Sequence, residues 1–351
     1  MPIVRLSGKM HGRGDPNRKV RARLLYRLFD AGWNIYNGNG DQEITLANIQ
    51  DKIIESDAFV FTPGAQIEDF FKAASIFVGF QTNDKDLDGK TAAILNCDRS
   101  WDGFISIIRH LHDMGTVSQN PEDFLSIVYK PKYVVSSLED SYLAGTEKVP
   151  PIKDAEKFAS TDAGRNGSTN IPDVNVCVFC SASIKDQYYL DIGYKFGKML
   201  SEEGWGCVSG AGRTGIMGQV VKGSVDNGGW SGGSNVPHII EMEGLPEGLS
   251  EFWPRPDIYT RMEVMIERSN AFVIMPGGMG TFQELLALLI LKVKNRDIMK
   301  GKPIVILNAS KDDDSAKFWE PLLGFLKDND VPDIYEVTDD VMEIIPLIKS
   351  S

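Results

Sequence analysis

The chain has 351 residues, of which 42% are hydrophobic and 25% charged, and a formal net charge of −12. That length exceeds one ordinary core and predicts two domains, while the acidity makes nucleic acid and anionic membrane poor partners. The opening MPIVRLSGKMHG lacks the apolar core of a signal peptide, the longest apolar run (residues 285–293) is far too short for a bilayer, and four cysteines make no disulfide framework. The expectation is a cytoplasmic protein with reduced thiols that needs no metal or cofactor.

In chain order, DAGWNIYNGNG (residues 30–40), SDAFVFTPG (56–64) and KTAAILN (90–96) read as apolar strands with turns, and Trp101 opens a helix-like stretch. His110 and His112, two apart on that helix, do not share a face. A polar stretch without periodicity follows (153–173) and reads as a linker. After it, VNVCVFCSA (174–182) is a strand, and Cys177 and Cys180 within it point to opposite faces, as buried small hydrophobes rather than a redox pair. Residues 186–204 have helical spacing, with Tyr189, Ile192, Phe196 and Leu200 on one face and Gly204 as the stop. WGCVSG (205–210) reads as a strand and 215–229 as a helix. GGWSGGSNV (228–236) reads as a glycine loop and HIIEM (238–242) as a third strand. A helix (259–269), the strand AFVIMPG (271–277), a helix from Thr281 and the strand KPIVILN (302–308) complete the order.

The second half repeats the first. SNAFVIMPG (269–277) matches SDAFVFTPG at six of nine positions, KPIVILN pairs with KTAAILN, EEGWGCVSGAG (202–212) pairs with DAGWNIYNGNG, and Trp319 stands as Trp101 does. Apolar strands alternating with helices predict an α/β fold. It comprises two Rossmann-like domains, each a parallel sheet flanked by helices, arising from internal duplication. The boundaries are 1–150, a linker at 151–172, and 173–351.

MPGGMGT, which follows the strand at 271–274, holds more glycine than a turn requires. Gly277, Gly278, Met279 and Gly280 would present backbone amides at the carboxyl end of a strand. Thr281 would add a hydroxyl and the following helix its unpaired N–H groups, together a cradle for phosphate. SGAGRTGIMG (209–218) is a second glycine loop at the same edge. Its Gly210, Gly212 and Gly215 form a G-x-G-x-x-G that lacks the acidic residue of a dinucleotide fingerprint, so the reading is one phosphate held from two sides. Both loops lack a Walker A lysine. Glu284, in the first turn, would sit beside the cradle, and Arg261 could pair a carboxylate or a phosphate.

These motifs resemble the LOG ("Lonely Guy") family, often mislabelled lysine decarboxylases. PGGMGTFQE is similar to its PGGxGTxxE signature, GAGRTGIMG (210–218, including Arg213 and Thr214) to its GGGxxGLMG loop, and VFCSA, with Ser181, to its VFCGS strand. The resemblance covers nearly all of residues 173–351. It implies a nucleoside 5′-monophosphate phosphoribohydrolase, which releases base from ribose 5-phosphate without a cofactor. The family's catalytic glutamate falls on Glu284 and its catalytic arginine, nine residues before the strand motif, on Arg261. The lysine beside that arginine is replaced by Met262. Residues 243–260 depart from the usual pattern and are expected to line the base pocket. The family's dimers imply that the N-terminal half is a scaffold, packed as the partner of a pseudo-dimer within one chain. Its counterpart loops, PGAQIE (63–68) and GNGDQE (38–43), have lost the candidate chemistry, and Asn48 stands where Arg261 does. Further homo-oligomerisation is left open. The alternative is a non-catalytic nucleotide or molybdenum-cofactor carrier. A dehydrogenase rests on the glycine pattern alone.

Overall fold

The computed structural model describes residues 1–8, 14–37, 46–117, 120–144, 170–311 and 316–351. His11, the loop at 38–43 and most of the linker read from the sequence lie outside these residues. The chain divides into two compact units, residues 1–113 with 117–151, and 152–351 with 114–116. No helix among the described residues is long and apolar enough to cross a membrane.

The first unit holds a parallel sheet of β1 (Ile3–Ser7), β2 (Asn34–Asn37), β3 (Ala58–Phe61), β4 (Thr91–Leu95) and β5 (Ser126–Val128), in the order β2-β1-β3-β4-β5. Its helices are α1 (Arg18–Asp30), α2 (Leu46–Ile54), α3 (Ile67–Gln81), α4 (Asp102–Asp113), α5 (Pro121–Phe124) and α6 (Val134–Ala144). The central strands are buried along their whole length, as apolar strands covered on both faces must be.

The second unit holds seven strands, all paired in parallel: β6 (Asn175–Phe179), β7 (Gly206–Ser209), β8 (Ser231–Asn235), β9 (Glu251–Pro254), β10 (Ala271–Ile274), β11 (Ile304–Leu307) and β12 (Glu336–Thr338). They run in the order β12-β11-β10-β6-β7-β8-β9. The helices are α7 (Gln187–Glu202), α8 (Gly215–Asp226), α9 (Pro237–Glu243), α10 (Ile258–Glu267), α11 (Met279–Val293), α12 (Glu320–Asp328) and α13 (Ile344–Ser350).

The stretch β7-β6-β10-β11-β12 has the strand order of the first sheet, and the same side-chain devices recur in both units. Ile3 N donates to Asp57 Oδ2 at 2.7 Å, as Asn175 N does to Asn270 Oδ1 at 2.8 Å. Ser56 and Ser269 each donate to the carbonyl four residues back, both at 2.8 Å. Lys90 donates to the Ile53 carbonyl and Lys302 to the Ile266 carbonyl. The Trp101 and Trp319 amides donate to Asn96 and Asn308 at the ends of β4 and β11.

Three expectations are corrected. The strand read at 238–242 is the helix α9, and the third strand is β8, inside the stretch read as a glycine loop. Serine and glycine are poor strand formers, costing roughly 0.5–1 kcal/mol per glycine, but here sterics decide. A Cβ at Gly232 would lie 2.4 Å from Trp230 and 2.7 Å from Trp253, and one at Gly233 would lie 2.8 Å from Ala211 Cβ. Only a strand almost without side chains fits between the two tryptophans and the β7–α8 turn. The apolar run after it is preceded by Pro237 at the helix start and closed by Gly244 at φ +69°, the punctuation of a short helix. The second correction is an edge strand that had not been predicted, β9. The third is the start of α11, which is Met279 rather than Thr281, with Gly278 as its N-cap.

Candidate functional site

The site gathers at the carboxyl ends of β6, β7 and β10. Ser181 N donates to Pro276 O at 3.1 Å and Met217 N to Ser181 O at 3.1 Å, tying the turn after β10 and the start of α8 to the end of β6. Thr214 Oγ1 donates to Ala182 O at 2.7 Å. A Cβ at Gly215 would lie 2.5 Å from the Ala182 backbone, so only glycine lets α8 begin there.

The two glycine loops differ in what they offer. In the β7–α8 turn, Ala211 N is spent on Ser209 Oγ (3.2 Å), Gly212 N on Met217 Sδ (3.0 Å), and Gly210 O accepts from Arg261 (3.1 Å). Ala211 takes φ +54°, a left-handed conformation that costs a non-glycine residue of order 1–3 kcal/mol. In the β10–α11 turn, by contrast, the amides of Gly277, Gly278, Met279, Gly280 and Thr281 donate to no acceptor among the described residues; Phe282 N, bonded to Gly278 O, is the first to be claimed. Unclaimed amides at the positive end of a helix such as α11 favour an anion. The amides at Ala211 and Gly212 are already used, whereas those of Arg213, Thr214, Gly215 and Ile216 donate to no acceptor among the described residues. A Cβ at Gly277 would lie 2.1 Å from Thr281 Oγ1, so the threonine hydroxyl lies directly over that glycine. Ser181 Oγ accepts from the amides of Ser183 (2.9 Å) and Ile184 (3.0 Å), which commits it to its own loop. Arg213 is exposed, its guanidinium over Gly244.

Arg261 is not the solvated arginine that its place on α10 allows. It is buried, with Nε donating to Ser234 O at 2.9 Å and Nη2 to Gly210 O at 3.1 Å. A Cβ at Gly210 would lie 1.9 Å from Nη2, which explains that glycine. Its position is thus fixed by two carbonyls, and Nη1 has no acceptor among the described residues. Glu284 sits in the second turn of α11, not the first, and is 6% exposed. Its carboxylate accepts no hydrogen bond among the described residues, yet neither oxygen is sealed from solvent. Burial raises its pKa to about 8; the Arg261 guanidinium opposes the rise and Glu243 adds to it. The dominant cause is loss of solvation of the charged form.

Glu243, at the end of α9, drew no notice in the sequence beyond opening the divergent segment. Its Oε2 would lie 2.4 Å from a Cβ at Gly212, and burial raises its pKa against the pull of Arg261. The Arg261 guanidinium thus favours the ionised form of both carboxyl groups. Cys177 and Cys180 are buried, with thiol pKa values pushed well up by burial, and all four cysteines are free. No cluster of metal-ligating residues occurs among the described residues.

The family model described as "Possible lysine decarboxylase" matches residues 217–349. The cytokinin riboside 5′-monophosphate phosphoribohydrolase of Mycobacterium marinum is 29% identical over 144 residues, covering 41% of this chain and 75% of that protein. The cytokinin riboside 5′-monophosphate phosphoribohydrolase LOG of Oryza sativa subsp. japonica is 31% identical over 157 residues, covering 43% of this chain and 59% of that protein. The chain thus spans three quarters of the first relative's length and less than two thirds of the second's. Among solved structures, the molybdenum cofactor binding protein from Rippkaea orientalis is 21% identical with a TM-score of 0.39, covering 52% of this chain and 98% of that one. The signature turn, the matched family model and these relatives agree in one respect: the second unit is similar to the LOG family.

Proposed function

We propose that the second unit hydrolyses the N-glycosidic bond of a nucleoside 5′-monophosphate, releasing the nucleobase and ribose 5-phosphate. The observation that carries this reading is the run of unclaimed amides from Gly277 to Thr281, beside an unsealed carboxylate without a donor and an arginine fixed by two carbonyls. The amides hold the 5′-phosphate, and that remote binding energy positions the sugar. Departure of the base leaves an oxocarbenium-like ribosyl centre, which ionised Glu284 stabilises; Glu284 takes a proton from the attacking water, whose hydroxyl bonds to the ribosyl carbon, and that proton passes to the departed base, restoring the carboxylate. Arg261 holds the charge balance between Glu284 and Glu243 and keeps the β7–α8 turn in place. The names of the curated relatives support the same substrate class. The decarboxylase description finds no lysine in this cluster to form a Schiff base.

The shared strand order and the four repeated side-chain devices support internal duplication, with the first unit as a scaffold that has lost the chemistry. The test is incubation with a panel of nucleoside monophosphates and their unphosphorylated nucleosides, with free base and ribose 5-phosphate as the readout. Release is expected from the phosphorylated forms alone and is expected to vanish in Glu284→Gln. Nucleotide binding without release in the wild type would make the protein a carrier instead.

A further inference from the structure

We propose that Glu243 is a specificity-determining residue of this site: it accepts a hydrogen bond from the 2′-hydroxyl of the bound ribose, so that ribonucleotides are taken and their 2′-deoxy counterparts rejected. The inference rests on the nucleotide reading above. Glu243 is the last residue of α9, and Gly244, at φ +69°, turns the chain away behind it. The carboxylate is seated on the β7–α8 turn, close enough that any side chain at position 212 would collide with Oε2. Oε2 is sealed and has no hydrogen-bond partner; Oε1 is unsealed and likewise has no donor among the described residues. The carboxyl group lies within electrostatic range of both Arg261 and Glu284.

Oε2 is closed off against the β7–α8 turn, so Oε1, unsealed and without a donor, is the oxygen that a ligand hydroxyl can reach. An ionised phosphate presents only acceptor oxygens and is repelled by a carboxylate, so the phosphate belongs on the Gly277–Thr281 amides and Glu243 faces another part of the nucleotide. The reacting carbon must lie by Glu284. The hydroxyl adjacent to that carbon is the 2′-OH, which makes it the donor nearest to the carboxyl groups flanking Arg261. A hydrogen bond from this hydroxyl strengthens as the ring gains positive charge, so it serves catalysis as well as selection. A site built around a hydroxyl rejects the analogue lacking it, because its own polar group is then left unpaired.

The experiment measures calorimetric binding of AMP, 2′-deoxy-AMP and 3′-deoxy-AMP to Glu284→Gln protein, which leaves the nucleotide uncleaved, with and without Glu243→Ala. AMP and 3′-deoxy-AMP are expected to bind about 100-fold more tightly than 2′-deoxy-AMP. Adding Glu243→Ala is expected to bring all three within about threefold, by weakening the two 2′-hydroxyl ligands alone. Glu243→Gln keeps an acceptor oxygen and the shape, is expected to retain part of the discrimination, and carries the test should the alanine variant fail to fold. Equal affinity for AMP and 2′-deoxy-AMP in the parent overturns the proposal. So does a loss in Glu243→Ala that is the same for all three ligands, since a structural role would do that. Discriminating binding without base release by the wild type leaves this proposal standing and sinks the hydrolase reading; no binding of any of the three sinks both.

Discussion

The turn after β3 and the turn after β10 stand at the same place in two sheets of the same strand order, and they use their amides in opposite ways. In the first unit, Gly64 N donates to Asp98 Oδ2 (2.7 Å) and Ser100 Oγ (3.0 Å), Ala65 N to Ser100 Oγ (3.3 Å), and Gln66 N to Asp69 Oδ2 (3.1 Å). In the second, the amides of Gly277–Thr281 are unclaimed. The first turn is also one residue longer before its helix starts, with Gln66 as N-cap where the second has Gly278. The first unit satisfies the helix start with its own carboxylates and hydroxyl, which stabilises the fold and removes the anion site. The second leaves the helix start open and, on the proposed reading, gives up local stability for a place to bind phosphate. A glycine-rich turn is therefore a binding site only where no nearby side chain has already taken its amides.

The sharpest way to break this contrast is to remove the carboxylate that the first unit lacks. Glu284→Gln is expected to lower kcat for base release by ~10³-fold while leaving nucleotide affinity within a few-fold, since a positioned acid or base contributes about 10²–10⁴-fold. Steady-state kinetics set beside calorimetric binding measure both. A parallel collapse of affinity would mean that Glu284 holds the ligand rather than the transition state.

A graft sharpens it next. Glu68 is the second residue of α3, and Gly280 is the second residue of α11, where a Cβ meets nothing within 4 Å. Gly280→Glu copies the first unit into the second at a position with open space for the Cβ. A carboxylate in the first turn adds about 0.3–1 kcal/mol of helix stabilisation, and replacing glycine adds up to about 1 kcal/mol more. Nucleotide affinity is expected to fall roughly 100-fold, because the new charge opposes the phosphate at close range. Stability and binding should thus move in opposite directions, read by thermal melting and titration. Tighter binding in the variant would place the phosphate elsewhere.

The pH dependence follows from the carboxylate raised to about 8. If ionised Glu284 is the working form, kcat/KM is expected to rise about tenfold per unit below pH 8 and to level off above it. Stability runs the other way. The folded state keeps the proton on Glu284 between the unfolded value of 4.5 and about 8, so it binds more protons than the unfolded chain, and stability falls as pH rises through that window. The share from Glu284 is at most about 1.4 kcal/mol per unit and should be missing in Glu284→Gln, which keeps the contribution of Glu243. Denaturant titrations from pH 5 to 8 on the two proteins isolate it; an identical slope in both would remove Glu284 as its source.

What the sequence made legible was whatever depends on apolar pattern and local punctuation. The central strands are apolar on both faces, and the repeated segments predicted sheets that do share a strand order. The PGG turn and Glu284 stand in one strand–helix junction, so their nearness to each other was legible; Arg261 lies on α10, and its burial against the Ser234 and Gly210 carbonyls was not. What stayed hidden depends on partners distant in sequence. The β8 strand is Ser-Gly-Gly-Ser-Asn because Trp230, Trp253 and Ala211 leave no room for side chains. Two amides of the β7–α8 turn, at Ala211 and Gly212, are claimed by Ser209 and by a methionine sulfur. Glu243 acquires its place from Gly212, which lies in a different loop. Pro237 before the apolar run and Gly244 after it were the signals that would have identified α9, and with it the seat of Glu243.

The smallest expected effect is a control in the first unit. Ser100 Oγ accepts from Gly64 N and Ala65 N and donates to Asp98 Oδ1 at 2.8 Å. Ser100→Ala frees Ala65 N and leaves Gly64 N to Asp98 alone. The cost is expected to be about 1 kcal/mol, in the range of a net hydrogen bond at a partly exposed turn, read as a shift in denaturant midpoint. Freeing these amides should create no nucleotide site, because Glu68, Asp69 and Asp98 still place negative charge around them, while Lys72 stands 3.7 Å from Asp69 and the Arg21 guanidinium donates to the Pro63 carbonyl and lies near Asp15. Base release should be unchanged. A loss of activity as large as that in Glu284→Gln would mean that the first turn takes part in the chemistry, and the division of labour between the two turns would have to be redrawn.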